Sequence, residues 1–465
     1  MAAAGALPAS GQTAPEAKDM VLVGFEALQA RSAYQPTIHQ QGGRWIAYIG
    51  HHGGTEEVPK PLNPLTGALE FNGTSILDVT DPHNPKYLTH IPGEEGLAEA
   101  GGAQMVRVCD GKALPKGDPS AVYMLRTFGN TAHEIWNTAD PAKPVLVTRL
   151  DGLKGTHKNW WECDTGIAYL VSGVPGWRVD RMTEVYDLSD PAKPVKIRDF
   201  GLPGQEPGGA GRAPTRLHGP ISTGPKGNRV YFAYGTNEGG ILQIVDRGKL
   251  LAGPKEPTEA NLLYPQVGRL DMSPLTGAHT TFPVLGMPIA EFAKDKVGKV
   301  RNFVVVTNEQ IKNECQEPRQ FVWFVDVTVE QHPASVATWG VPEASGDFCN
   351  RGGRFGTHAS NESMTDVYYG RLMFFSHFNA GVRAVDIRDP YHPTEVAYYV
   401  PAITKNTDKR CIRLDNGAER CKTAIQTNNV EVDDRGYIYA VDRANTGLHI
   451  LELTGDARKI ANLPH

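Results

Sequence analysis

Apolar residues recur along the chain in short alternating runs, each closed by proline, glycine or asparagine. Such runs predict half-buried strands rather than helices, because successive strand side chains point to opposite faces. The clearest runs share one phrase. It reads SILDVTDPHNPKYLTHI from Ser75, HEIWNTADPAKPVLVTRL from His133, TEVYDLSDPAKPVKIRDF from Thr183 and VRAVDIRDPYHPTEVAYYV from Val382. Each copy is an apolar strand, an Asp-Pro-x-x-Pro turn and a second strand. The aspartate caps the turn with its own side chain, and the prolines fix φ and end strand pairing.

Weaker copies begin at Ile241 (ILQIVDRGKL), Phe321 (FVWFVDVTVEQHPASVATW) and Leu448 (LHILELTGDARKI), making seven. Upstream of each lies another apolar run: WIAYIG, AVYMLR, IAYLVSG, RVYFAYG, NFVVVTN, RLMFFSH and YIYAVDR. Upstream again there is room for a first strand. Seven units of roughly fifty to eighty residues, each with up to four strands, predict an all-β fold, a seven-bladed β-propeller of four-stranded antiparallel blades. The seventh unit ends soon after its third strand. DMVLVGFEAL, near the N-terminus, has the alternation to supply the fourth. An N-terminal strand completing the last blade would close the ring and remove exposed edges. The expected organisation is a flexible tail over residues 1–19 and a single propeller domain over 20–465. A two-domain sandwich competes, but it predicts no sevenfold phrase.

The phrases LDVTDPHNP, YDLSDPAKP and VDIRDPYHP resemble the strand motif of the LVIVD-repeat proteins, a family of bacterial β-propellers. The resemblance runs from about residue 37 to residue 455. It implies the propeller fold and no particular activity, because that family is functionally diverse and a fold does not fix a function.

On this frame the histidines fall into register. The first strands begin PTIHQQG, GGAQMVR, KGTHKNW, TRLHGPI, TGAHTTF, FGTHASN and AIQTNNV. The matched positions are His39, Gln104, His157, His218, His279, His358 and Asn428. First strands line the central channel of a propeller, so matched positions form a ring around its axis. Imidazole is the commonest metal ligand at neutral pH and suits Fe, Cu, Zn and Ni. Three or four of the five histidines can meet one ion and leave a position for substrate or water. The alternative is five buried histidines that hydrogen-bond neighbouring carbonyls and pack. A one-residue register error would turn a side chain away from the channel.

Other candidates lie nearby. His377, His51 and His52 end second strands, and His377 is a candidate acid/base or substrate contact. Glu162 and Glu362 are carboxylates that could fix a histidine tautomer, or ordinary surface residues. Trp160 and Trp161, with Gln104 and Asn428, are candidate pocket residues; core packing is the other reading of the tryptophans. His83, His332 and His392 belong to outer turns, and His465 ends the chain. The segments 201–215, 249–270 and 401–424 are candidate lids.

Composition narrows the classes. Gly at 50 and Pro at 34 suit strands and tight turns. Charge is nearly balanced, 47 basic against 52 acidic residues, so no basic stripe argues for nucleic acid. No apolar run of about eighteen residues predicts a membrane span. The first residues, MAAAGALPASGQTAPEAKD, lack a basic and apolar leader. The six cysteines fall in suggestive pairs. Cys411 and Cys421 flank a turn-like segment, Cys315 and Cys349 lie in loops, and Cys109 and Cys163 occupy comparable places in neighbouring repeats. That even count points to an oxidising compartment, periplasmic or secreted, with the connectivity open.

No G-x-S-x-G, H-E-x-x-H or P-loop setting competes with the histidines. The chain is similar, in plan only, to the carotenoid-cleaving oxygenases, propellers that hold iron with four histidines, and to selenium-binding-protein relatives with histidine-rich metal sites. The expectation is an exported metal-dependent enzyme acting on a small-molecule substrate, with Fe or Cu ahead of Zn or Mn. Oxidoreductase or oxygenase chemistry leads, a hydrolase or lyase follows, and a non-catalytic scaffold propeller is the alternative from another class.

Overall fold

The computed structural model describes residues 12–289 and 300–464. Residues 1–11 of the expected tail and His465 lie outside them. Seven blades follow one another in chain order, each an antiparallel sheet whose strands are hydrogen-bonded in sequence. The first strands are Ala33–Gln41, Val106–Asp110, Asn159–Trp161, Leu217–Ser222, Thr280–Pro288 and, in blade 7, Thr427–Val432. First strands of neighbouring blades touch around the axis. In blade 6 the same place is taken by an irregular extended segment. There His358 N donates to Ser376 O, Ser376 N to Ala359 O and Asn361 N to Phe374 O.

The repeated turn joins third to fourth strands on the face opposite the starts of the first strands. In all four full copies the aspartate works as its chemistry predicts. Asp81, Asp140, Asp190 and Asp389 each accept, through Oδ1, the backbone N–H two residues on, at 3.0–3.1 Å. The apolar faces of the strands meet between blades. One such cluster joins Tyr231, Leu242 and Ile244 of blade 4 to Val304, Val306 and Val325 of blade 5. Burying each of these aliphatic side chains contributes about 1.5–3 kcal/mol, so the ring is held by its blade-to-blade contacts.

Ring closure follows expectation. Met20–Glu26 pairs antiparallel with Leu448–Leu453 and supplies the outer strand of blade 7. The tail is shorter than expected, because Glu16–Lys18 is itself a strand, paired with Thr394–Val400 at the outer edge of blade 6. The chain thus crosses from blade 6 to blade 7 before entering blade 1, and exposed edges on two blades are covered.

All three cysteine pairs are disulfides. Cys109–Cys163 joins the first strand of blade 2 to the residues just after that of blade 3. Cys315–Cys349 joins two loops on the face where first strands begin. Cys411–Cys421 crosses the hairpin Lys409–Arg413/Glu419–Thr423 at directly paired positions on that same face. Of the three expected lids, 401–424 carries this hairpin over the channel. The 201–215 loop is held by Arg178, which donates to Gly204 O at 2.8 Å and Ala210 O at 3.2 Å. The 249–270 insertion lies at the opposite face, between third and fourth strands, with short helices at Arg247–Ala252 and Glu259–Leu263, and covers nothing near the histidines. Among the described residues, no helix is long and apolar enough to cross a membrane.

Closure depends on a glycine. A Cβ placed on Gly24 of the closing strand would lie 1.9 Å from the Pro82 carbonyl oxygen, in the turn of blade 1. Gly268, on the outer strand of blade 4, meets the turn of blade 5 in the same way, 1.7 Å from Glu330 O. Both contacts are with backbone, which cannot rotate aside. Gly24→Ala is therefore expected to cost about 1–3 kcal/mol through overpacking at the seam. Denaturant unfolding read against the wild type checks this, and an unchanged midpoint would show that the seam has slack.

Candidate metal centre

The matched Gly-Thr-His tripeptides of blades 3 and 6 show how the fold places a histidine. Gly155 adopts φ of 62°, which favours glycine, and its Cβ would meet Asp180 O at 2.3 Å. Thr156 Oγ1 then donates to Gly129 O at 2.8 Å, and Thr357 Oγ1 to Asn308 O at 2.9 Å. Each acceptor lies just past the second strand of the preceding blade. The threonine pins the strand start to its neighbour, and the next side chain turns to the axis.

Four of the five expected ring histidines converge there. His157, His218, His279 and His358 come from consecutive blades 3 to 6, and each is at most 2% exposed. Their ring centroids follow one another at 4.5, 3.7 and 4.3 Å. The Nε2 atoms of His157 and His218 are 2.8 Å apart. That separation matches two ligands at right angles on an ion about 2.0 Å from each. It equally suits an N–H···N hydrogen bond.

His39 is not among them. It lies six residues past Ala33, where its strand starts, and it pairs with Asp110 at 2.9 Å, partly exposed. The reason is register. A bulge follows the first paired residue in blades 1, 4 and 7, after Ala33↔His51, Leu217↔Tyr234 and Thr427↔Asp442. The residues just past those pairs are Tyr34, His218 and Asn428, so Tyr34 fills the blade 1 place. Its ring contacts His157 at 5.6 Å and His358 at 5.8 Å between centroids, and its hydroxyl lies 3.4 Å from His157 Nε2. Burial pushes the Tyr34 phenol well above its ordinary value, so it is a neutral O–H. Gln104 and Asn428 are both buried. Gln104 Nε2 reaches Glu99 O at 3.4 Å, and Asn428 accepts from His358 through its backbone carbonyl while its Nδ2 donates to Tyr34 O at 3.4 Å.

Tautomers are set by backbone. His218 Nδ1 donates to His279 O at 2.8 Å, and His358 Nδ1 to Asn428 O at 2.5 Å. Burial holds all four imidazoles well below the ordinary histidine value, so each is neutral at pH 7. His218 and His358 therefore keep a free lone pair on Nε2. His279 Nδ1 meets Thr280 Oγ1 at 2.9 Å, and its Nε2 is buried without a hydrogen-bond partner.

A carboxylate joins the set that sequence reasoning missed. Glu309, just past the second strand of blade 5, brings an oxygen within 4.8 Å of ligand nitrogens of both His218 and His279. Its Oε1 is 3.6 Å from His358 Nε2 and 2.9 Å from Arg354 Nη1. The available signal was positional, since His52 of blade 1 and Glu309 of blade 5 both end or follow second strands. Orphaned buried nitrogen, neutral imidazoles and one carboxylate form a donor set that fits a divalent transition ion. The other cluster of potential ligands, Cys411, Glu419 and Cys421, has its sulfurs bonded to each other.

The remaining candidates separate. Strand alternation sends His51 to Ser75, at 2.8 Å, and turns His52 onto the Tyr34 ring, 4.8 Å between centroids. His377 is buried away from the ring against Phe355 and Trp339, and Val341 N donates to its Nε2 at 3.4 Å. An acid/base role for it is thereby removed. Glu162 lies past the far end of its strand, bound to Arg247 at 2.6 Å and to Ser222 and Tyr169; it orients no histidine. Trp161 is core, packed among Leu125, Leu170 and Ile135. Trp160 packs against the cluster of blades 3 and 4 and that of blades 5 and 6, with Arg107 over its ring at 4.6 Å, and so fills the channel beneath the histidines.

Glu362 does sit in the channel, bound to charges rather than to histidine. Lys158, next to His157, places Nζ 2.6 Å from Glu362 Oε1 and 3.4 Å from Thr280 Oγ1, and Arg107 pairs with the other carboxylate oxygen. Although burial opposes ionisation, Lys158 and Arg107 hold the Glu362 carboxyl down at about 2. Glu431 alongside is pushed up to about 7, chiefly by burial.

No family model and no curated protein sequence matches the chain. Among solved structures it is similar in fold to a hypothetical selenium-binding protein from Sulfolobus tokodaii, at 12% identity and a TM-score of 0.50. That match covers 82% of this chain and 87% of the other. Sqt1 of Chaetomium thermophilum matches at 8% identity over 94% of this chain and 98% of its own, with a TM-score of 0.49. The C-terminal WD40 domain of Sif2 matches at 7% identity over 96% and 97%, with a TM-score of 0.42.

The buried Lys158–Glu362 pair gives a pH signature. An unfolded glutamate titrates near about 4.3, above the folded value of about 2. Its stabilisation is complete above the unfolded value and is lost as pH falls from about 4.3 toward 2. Glu362→Gln leaves Lys158 charged and unpaired, at an expected cost of about 3–5 kcal/mol at neutral pH, and flattens the acid limb. Denaturant unfolding across that pH range measures both effects; a variant with wild-type stability and an unchanged acid limb would contradict the pairing.

Proposed function

We propose that the protein is a metal-dependent oxidoreductase of a small organic molecule, with Fe or Cu held in the propeller channel by His157, His218, His279 and His358 beside Glu309. The observation that carries this reading is the convergence of four neutral, buried imidazoles from consecutive blades, two with Nε2 left unprotonated because Nδ1 donates to a backbone carbonyl. Imidazoles with one carboxylate suit Fe and Cu, and would also accept Zn or Mn, for which a hydrolase or lyase is the corresponding chemistry. The ion would supply electron-transfer or Lewis-acid chemistry. The chain's own part is to hold the imidazoles neutral and dry, and to set the Tyr34 O–H at the edge of the cluster as a proton donor. Three disulfides support an oxidising compartment, periplasmic or secreted.

One observation favours a second reading. The ring histidines are at most 2% exposed, under loops stapled by two disulfides. That enclosure suits a structural ion in a scaffold propeller, as the resemblance to LVIVD-repeat proteins allows.

Elemental analysis of untagged protein prepared in metal-replete medium separates the outcomes. The wild type is expected to carry a stoichiometric transition ion, and the His157→Ala, His358→Ala double variant to lose metal affinity by roughly tenfold or more. A wild type without stoichiometric metal defeats the proposal. Metal retained in full by the double variant defeats the ligand assignment. Bound metal without oxidase or oxygenase turnover defeats the oxidoreductase reading and leaves the hydrolase or lyase and the scaffold readings.

A further inference from the structure

Above the histidines, on the lid side, the channel mouth is built from arginines. Arg181 and Arg443 are buried, Arg354 is partly buried, and Arg410 reaches in from the disulfide-bonded hairpin. Two carboxylates serve most of this group. Glu99 lies 3.6 Å from Arg181 and 3.7 Å from Arg443, and Glu309 lies 2.9 Å from Arg354 and 3.9 Å from Arg443. Arg181 and Arg443 both stand beyond hydrogen-bond reach of these carboxylates; Arg181 donates to Gly155 O at 3.1 Å, whereas Arg443 Nη1 is buried with no hydrogen-bond partner. Asp442, next to it, is occupied by the backbone N–H groups of Gln426, Ala444 and Thr446.

Arg443 and Arg410 line a cavity of about 240 Å³ together with Ser32, His52, Leu97 and Asp408. Asp408, the carboxylate nearest Arg410, stands 3.5 Å from it. His52 is 1% exposed, and neither of its nitrogens has a hydrogen-bond partner. Buried polar groups of this kind are rare unless a ligand or ordered water completes them. A planar guanidinium with a free edge matches the two oxygens of a carboxylate. The cavity falls below the usual size of a site for drug-sized ligands, which limits the occupant to a small molecule. His52 packs on Tyr34, and the Tyr34 hydroxyl lies 3.4 Å from His157 Nε2, so the cavity stands one layer of side chains from the metal centre.

We propose that this cavity binds the carboxylate of a small organic acid, anchored by Arg443 and Arg410 with His52 as an additional hydrogen-bonding partner, and that such acids are the substrate class of the centre beneath. The anion site stands on its own geometry; its assignment to substrate rests on the metal-centre reading above.

The test is calorimetric titration of metal-free and metal-loaded full-length protein with propionate and benzoate, using propionamide and benzamide as neutral controls and inorganic phosphate as a competing anion. The acids are expected to bind both forms, and the amides to bind weakly. Arg443→Gln and Arg410→Gln should each weaken the acids by about tenfold or more, with partial recovery in Arg443→Lys. Arg410 lies on the surface hairpin, so its variant tests the site even where Arg443→Gln fails to fold. Equal binding of acid and amide, tighter binding of phosphate, or wild-type affinity in the Arg410 variant would overturn the site. In the metal-loaded form, bound benzoate should shift the ligand-field spectrum of the wild type; an unchanged spectrum would overturn the substrate assignment. Acid binding to a protein that takes up no metal would leave the anion site and remove the metal-centre reading.

Discussion

An imidazole offers a lone pair only from the nitrogen that does not carry its proton, and in this channel the neighbouring blade makes that choice. His218 is fixed by the carbonyl of His279, one blade on, and His358 by the carbonyl of Asn428, one blade further. Each donor therefore depends on the placement of the next first strand. Those strands are placed by the ring as a whole, including the N-terminal strand that completes blade 7. A site assembled this way cannot be loosened in one blade without altering the proton position in another.

The cluster lies between two charged layers of different kinds. Beneath it, Lys158 and Arg107 share the single carboxylate of Glu362, and Trp160 fills the remaining space. Above it, arginines outnumber the carboxylates within direct reach, and Glu309 is shared between Arg354 and the histidines. Positive charge on both sides helps to depress the buried imidazoles, after desolvation. It keeps them deprotonated and able to act as ligands, and it disfavours a bare cation unless a carboxylate or a bound anion accompanies it. Glu309 answers that electrostatic requirement from within the chain.

Much of this was legible in the sequence because the repeat reports its own register. The Asp-Pro-x-x-Pro phrase locates third and fourth strands, and from there the second strands, the closing strand and four ring histidines follow. The misread position, His39, failed because the first strand of blade 1 starts earlier than its alternation suggests, at Ala33, which puts Tyr34 rather than His39 at the channel end. Tyr34 was hidden by the same early start. Lys158 and Glu309 were missed because a lone charged residue beside a strand end looks like surface until the fold buries it. His377 shows the opposite error, since the end of a second strand points inward or outward by alternation alone. The paired tryptophans after His157 divide the same way, with Trp161 in the core between blades and Trp160 in the channel.

The arrangement is one-sided. Blades 3 to 6 supply the histidines, while blades 7, 1 and 2 supply Asn428, Tyr34 and Gln104, which offer hydrogen bonds and aromatic surface rather than metal-binding nitrogen. The uncommitted flank of the cluster therefore faces Tyr34. Behind Tyr34 lies His52, and beyond His52 the arginine-lined cavity under the hairpin. Cys411–Cys421 staples the hairpin whose Arg410 lines that cavity, Cys315–Cys349 joins loops of blades 5 and 6 on the same face, and Cys109–Cys163 lies at the lower ends of blades 2 and 3. Donors, phenol, free imidazole and guanidinium thus run in sequence from the axis to the mouth. A fold with sevenfold repetition has used unequal blades to give its channel a direction.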